Sequence, residues 1–359
     1  MTVRNIFLTV IVIVLFSNSL SGKEPHVDFV FPKRLDRITC GSCSKQDLPQ
    51  PIWEAIVAAD PDLFIYMGDN IYGDSEDLNV LAEKWGKQKS QPGYTALRKQ
   101  CSVIGTWDDH DYGKNDAGLE YPQKVGSQQL FLDFLDEPED SIRRTREGVY
   151  ASYLYGPVGQ QVHIILLDTR YFRTPLKKIM DQSPTAEGHS GPYGPTDDPN
   201  ADMLGEAQWK WLEEQLQVPA QLRLIVSSIQ VLPLEQRYEK WENLPTERAR
   251  LLKLIEKTNS EGVVFLSGDR HAAEFCKLDR DGNYPLLEMT SSSLNAPRKY
   301  QNELNSLRYG LLYNEVNFGI ILIDWEAETP TVVFSVCDIE GRAMLQVPIM
   351  IPSLQRVTD

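Results

Sequence analysis

Leu63-Phe64-Ile65-Tyr66-Met67-Gly68-Asp69-Asn70-Ile71-Tyr72 runs through five apolar side chains and then breaks into Gly-Asp. A short run rich in aromatic and β-branched residues, bounded by glycine, predicts a buried strand. Open α/β sheets bind ligands beyond the carboxyl ends of their strands, so Asp69 is expected on that rim. Gly68 permits a close approach of backbone or ligand, and Tyr72 follows Asp69 closely enough for both oxygens to face one cation. Alone, the pattern is better explained by a strand-end turn. It gains weight because three other apolar runs end in the same way: Cys40-Gly41-Ser42-Cys43-Ser44, Asp108-Asp109-His110-Asp111 and Gly268-Asp269-Arg270-His271.

Working outward, strands are expected over 37–43, 101–108, 162–168, 222–228 and 263–269. Helices are expected over 51–59, 76–89, 128–135, 205–216 and 246–259, the last with Thr246 as its cap. Residues 172–203 are rich in Pro, Gly and Asp and suit a functional lid or a disordered insertion. From Leu286 helical periodicity disappears, and the short runs 286–290, 318–325 and 331–336 predict an antiparallel sheet completing the same domain. The fold class is therefore α/β, with one domain of two sheets face to face and outer helices.

The chain has 359 residues, 42% of them hydrophobic, and a net charge of -15. That supports an ordinary globular core and argues against a nucleic acid or an anionic membrane as main partner. Residues 1–22 carry Arg4, an apolar run over 6–16 and a small polar tail with Ser19 and Ser21, the pattern of a secretory signal peptide. An uncleaved anchor is the alternative, and the run is short for a membrane span. Residues 23–36 read as a polar linker and 37–359 as the catalytic domain, secreted or periplasmic, without a membrane span once the signal is removed, and monomeric. Cys40 and Cys43 form C-x-x-C, open to a redox, disulfide or metal-ligand role. If one of the five cysteines is a metal thiolate, the other four could pair in three ways.

Cys43, Asp69, Tyr72, Asp109, Asn115, Asp269 and His271 all follow separate apolar runs and should converge on one rim. Buried carboxylates at that density repel unless a cation or protons neutralise them. Thiolate, phenolate and imidazole suit a transition metal such as iron, whereas Asp and Asn oxygens suit calcium, magnesium or manganese. Neighbouring cations can bind a phosphate, activate water and stabilise an in-line transition state. No Gly-x-Ser-x-Gly elbow is present and no serine or threonine sits at a motif position where it could attack phosphorus, so the expected nucleophile is a metal-bound hydroxide.

At Gly41-Ser42-Cys43-Ser44, Gly68-Asp69-Asn70-Ile71-Tyr72, Trp107-Asp108-Asp109-His110-Asp111, Leu167-Asp168-Thr169-Arg170, residues 204–216 and Ser267-Gly268-Asp269-Arg270-His271, the chain resembles the PhoD-type alkaline phosphatase and phosphodiesterase family. The resemblance implies a metallophosphatase-like α/β/β/α sandwich of two mixed sheets flanked by helices, exported, hydrolysing phosphate mono- or diesters at a ferric iron and calcium centre. It implies iron on Cys43, Tyr72 and Asp269, Asp69 bridging iron to calcium, and Asp109 and Asn115 on the calcium side. His110 and His271 take the positions of active-site histidines, with Asp69 also catalytic and His271 also a candidate ligand. Asn70 and Arg170 are the substrate-binding candidates, Arg170 and Asp168 equally suiting a strand-end ion pair. Gly73 departs from the Glu usual there, and the extra β-rich domain of better-known members has no counterpart between Gly22 and Arg37. Two alternatives stand beside this reading: a phospholipase D-like diesterase, and a non-catalytic calcium-binding surface module, for which the thiol and phenol would be superfluous. His26, His163 and His189 stay outside it, His163 as a satisfied core histidine.

Overall fold

The computed structural model describes residues 26–300 and 303–356; the expected signal peptide and the start of the linker lie outside them. In chain order, β1 (Phe29–Phe31), β2 (Arg37–Gly41), α1 (Ile52–Ala58) and β3 (Leu63–Met67) come first. Then come α2 (Leu78–Lys89), α3 (Pro92–Gln100), β4 (Ser102–Thr106), the single turn α4 (Asp109–Tyr112) and α5 (Lys124–Phe134). Strands β5 (Ala151–Tyr155) and β6 (Val162–Leu166) precede α6 (Gly205–Leu216), β7 (Leu222–Ser227), α7 (Pro245–Lys257) and β8 (Val263–Ser267). The last strands are β9 (Ala273–Arg280), β10 (Asn283–Ser291), β11 (Phe318–Asp324), β12 (Thr331–Cys337) and β13 (Ala343–Met350).

They form a seven-stranded sheet, β1-β5-β6-β7-β8-β10-β9, and a six-stranded sheet, β13-β12-β11-β2-β3-β4. Within the first, β6, β7, β8 and β10 run parallel; within the second, β2, β3 and β4 do. A strand covered on both faces can be apolar at every position, and β3 shows this directly. Leu63, Ile65 and Met67 join the core between the sheets, while Phe64 and Tyr66 join a second core against α1, α2, α3 and α5. Trp209, Leu212 and Leu216 of α6 and Leu251, Leu254 and Ile255 of α7 cover the other sheet. The architecture is the expected α/β/β/α sandwich of two mixed sheets.

Several local expectations are corrected. The late strands do not form one antiparallel sheet: β11, β12 and β13 extend the six-stranded sheet, whereas β10 joins β8 in the other. Pairing partners, not texture along the chain, decide this. Thr246 does not cap α7, because Pro245, with its preset φ, already occupies the first turn. The segment read as linker supplies edge strand β1, paired with β5, and buries Leu35 completely. His163 is fully buried, but neither ring nitrogen has a partner, so it is a core histidine without the expected satisfaction. All five cysteines are free thiols.

Candidate metal centre

The parallel strands deliver their carboxyl ends to one rim where the two sheets meet. Gly68 and Gly268 make that meeting possible. A Cβ on Gly68, whose φ is +94°, would lie 2.6 Å from Asp108 Cβ; one on Gly268 would lie 2.6 Å from Ser42 Oγ and 2.7 Å from the Met67 carbonyl. Asp69 and Asp269, directly after these glycines, and Cys43 and His271 on the same rim all adopt left-handed backbone, with φ of 51°, 64°, 56° and 55°. Side chains rarely tolerate that conformation, and such residues gather where the fold holds a site in place.

Asp69 lies at the centre. Its Oδ2 is 3.4 Å from Cys43 Sγ and accepts from the Tyr72 hydroxyl at 3.3 Å, and that hydroxyl is also 3.3 Å from His271 Nε2. Its other oxygen, Oδ1, is buried without a partner, as is Asp108 Oδ2. Potential ligand atoms of Cys43, Asp69 and His271 lie within 4.8 Å of one another, as do those of Asp69, Asp109 and His110, and of Asp69, Asp108 and Asp269. Asp69 belongs to all three groups, with soft donors on one side and carboxylates on the other. Orphaned oxygens, crowded acids and this donor set fit a centre of more than one cation.

The electrostatics agree. Burial, then Cys43 and the neighbouring Asp109, Asp108 and Asp111, push the Asp69 pKa well above the carboxylate range. Asp269 is raised by burial and by Asp108, and Cys43 goes up to about 11 through burial. Burial also opposes charge on Asp109, but His110 and Arg170 outweigh it and hold that carboxyl below its usual value. His271 donates Nδ1–H to the Ala296 carbonyl, which can only accept, so Nε2 faces Tyr72 as a lone pair. Burial, Arg298, His110 and Lys45 depress its pKa to about 3. His110 packs 4.2 Å from the Tyr72 ring and holds Asp74 through Nδ1 at 2.8 Å.

Three candidates have other polar partners or exposure. Arg170 is fully buried, its guanidinium shared between Asp108 and a two-oxygen contact with Glu239 at 2.8 and 2.6 Å, so it neutralises acids beneath the rim. Asn70 is buried too, donating to the Thr106 carbonyl and to Asp111. Asn115 is exposed and lines an opening of about 420 Å³ with Asp74, His110 and Lys114. Its neighbour Asp116 points inward: its N–H donates to Asp109 at 2.6 Å, and its carboxylate accepts from Tyr193, which the 172–203 segment contributes. Asp168 accepts the N–H groups of Arg170, Tyr171 and Val149, bracing the turn after β6. His189 holds the Leu304 carbonyl, and His26 is exposed.

A model of the PhoD-like phosphatase family matches residues 38–320. The chain belongs to the PhoD-like phosphatase family. Alkaline phosphatase D of Bacillus subtilis (strain 168) is 26% identical over 274 residues, which are 65% of this chain and 44% of that protein. The chain thus spans less than half the length of this PhoD-like relative. A solved structure of PhoD superposes with a TM-score of 0.67 at 17% identity, covering 91% of this chain and 72% of the other. A purple acid phosphatase from yellow lupin (Lupinus luteus) seeds gives 0.59 at 12% identity, over 91% and 55%. These likenesses extend the fold agreement of the PhoD-like chain to a second phosphatase.

Sequence reasoning missed Glu239 and undervalued Asp108, Asp111 and Asp116. Ligand atoms of Glu239, Asp109 and Asp116 approach within 4.8 Å, and Glu239 also ties Arg170 to Arg173, yet no apolar run announces it. For Asp116, the signal was adjacency to Asn115 in the same turn.

The crowding makes a prediction about pH. Asp69, Asp111 and Asp269 have raised folded pKa values and Asp108 rises to about 7, each with burial first among the causes. From about pH 4 upward the unfolded chain has released these protons while the fold retains them, so stability must fall as pH rises. Metal-stripped protein should melt at a lower temperature at pH 8 than at pH 5, and restored cations should flatten the slope. Parallel slopes with and without cations would contradict this account.

Proposed function

We propose that this chain is an exported, metal-dependent phosphoric ester hydrolase acting on mono- or diesters at a mixed iron and calcium centre. Family membership supports the reaction class, and the pattern over residues 1–22 supports export. The observation that carries the reading is the position of Asp69, shared by thiol, imidazole and carboxylate groups. Cys43, Tyr72, Asp69 and Asp269 would hold iron, and Asp69, Asp109 and Asn115 or its inward neighbour Asp116 would hold calcium. Bound there, the cations supply Lewis acidity for water activation and neutralise charge on the phosphoryl group.

The chain's own groups divide the remaining work. His271 offers a neutral Nε2 to the centre, its tautomer fixed by Ala296. Burial works against a proton on His110, but Asp109 and Asp74 outweigh it and raise the pKa to about 9, so His110 carries a proton for the leaving oxygen. Arg170, Glu239 and Arg173 balance charge underneath.

Paired assays with p-nitrophenyl phosphate and bis(p-nitrophenyl) phosphate test the proposal. Removing calcium with a chelator should abolish turnover, and adding it back should restore it, while iron stays bound. Metal-replete protein inactive on both esters would sink the hydrolase reading. Full activity after calcium is shown to be gone would sink the mixed centre.

A further inference from the structure

Residues 294–298 cross the rim and are pinned on both sides. The Leu294 and Asn295 N–H groups donate to the Ser42 and Cys43 carbonyls at 2.9 and 3.4 Å. The Asn295 side chain accepts the Lys45 N–H at 2.7 Å and donates to the Lys45 carbonyl at 2.9 Å. At the other end the Ala296 carbonyl accepts His271 Nδ1–H, and the Arg298 N–H donates to the His271 carbonyl at 2.9 Å. Two cationic residues belong to this arrangement, Lys45 opposite Asn295 and Arg298 at the end of this strap. Lys45 Nζ lies 4.7 Å from the Tyr72 ring centroid, and the Arg298 guanidinium lies 5.9 Å from that of Tyr238.

Lys45 stands over the ring of Tyr72, whose hydroxyl is 3.3 Å from His271 Nε2, and the Arg298 backbone is bonded to the His271 carbonyl, so both residues border His271. Among the described residues neither forms an ion pair, whereas the adjacent Lys299 is paired with Glu315. On a chain of net charge -15, two cations without a directly paired carboxylate beside the proposed phosphate site are a local reversal of sign. An arginine fork and a lysine point charge attract a multiply charged anion more than a singly charged one.

We propose that Lys45 and Arg298 clamp a second anionic group of the substrate, selecting diphosphates or esters whose leaving group carries its own phosphate. The inference rests on the hydrolase reading for the first phosphate. Its test uses methylphosphonate and methylenediphosphonate, which contain no ester to cleave, in calorimetric titrations of metal-loaded protein. Wild type should prefer the diphosphonate, and Lys45→Ala and Arg298→Ala should each reduce that preference about tenfold. Lys299→Ala should keep it. Affinity of the diphosphonate for cations is common to all variants and leaves their differences as the readout. A double variant that retains the preference, or a wild type that never shows it, overturns the clamp. A variant-sensitive preference in a protein that hydrolyses no ester would uphold the clamp and overturn the proposed hydrolase.

Discussion

Asp69→Asn should lower turnover on the order of 10²- to 10³-fold or more while making the metal-stripped protein more stable. The two effects have one origin. Asp69 is fully buried, one of its oxygens has no partner, and Cys43, Asp109, Asp108 and Asp111 all disfavour its charge. Without cations, that carboxylate is a liability which a neutral amide of the same shape relieves. With cations, it is the group common to three donor clusters, so its loss removes stabilisation needed most when charge develops on the phosphoryl group. Turnover on p-nitrophenyl phosphate and urea denaturation of chelated protein measure the pair. A variant less stable than wild type after chelation, or one within tenfold of its turnover, would refute the assignment.

Cys43→Ser and Tyr72→Phe should each lose iron, and the second should also bleach a visible charge-transfer band, because phenolate on ferric iron absorbs visible light. Cys43 Sγ touches Asp69 and Ser292 at the rim, at 3.4 and 3.1 Å. Cys40, three positions earlier, packs in the core between the sheets, and burial raises its thiol to about 12. Cys40→Ser should therefore retain iron. Metal analysis with visible spectra decides it: equal iron loss in both cysteine variants would mean that the wrong thiol was chosen. A colourless, fully active wild type containing only zinc would remove iron altogether.

The central strands were legible because burial on both faces makes them continuous apolar runs, and each ends abruptly at a polar rim. Helix α6 was legible to the residue, since Trp209, Leu212 and Leu216 mark one face. Other elements hide their signal. Helix α3 opens with Pro92-Gly93, which reads as a turn; β13 is an edge strand that carries Pro348; and β9 loses its apolar character after Cys276. Strand β1 has only three residues and depends on β5 for its pairing. The same distinction governs the site. Asp69, Asp109, Asp269 and His271 follow strands and could be found, whereas Glu239 comes from an irregular loop and is placed by two buried arginines. For Arg170 the sequence left substrate contact and an ion pair equally open, and only tertiary packing reveals that Asp108 and Glu239 occupy its donors.

The division of the rim between two sheets also sets an order of assembly. Cys43, Asp69, Tyr72 and Asp109 follow β2, β3 and β4 of one sheet; Asp269 and His271 follow β8 of the other. During synthesis the early donors emerge long before the late ones, and the six-stranded sheet itself waits for β11, β12 and β13 to close it. A nascent chain therefore exposes a thiol and several acids with no finished centre to occupy. On the proposed reading, cation capture would follow docking of the sheets, and the bound cations would then join the beginning of the chain to its last third.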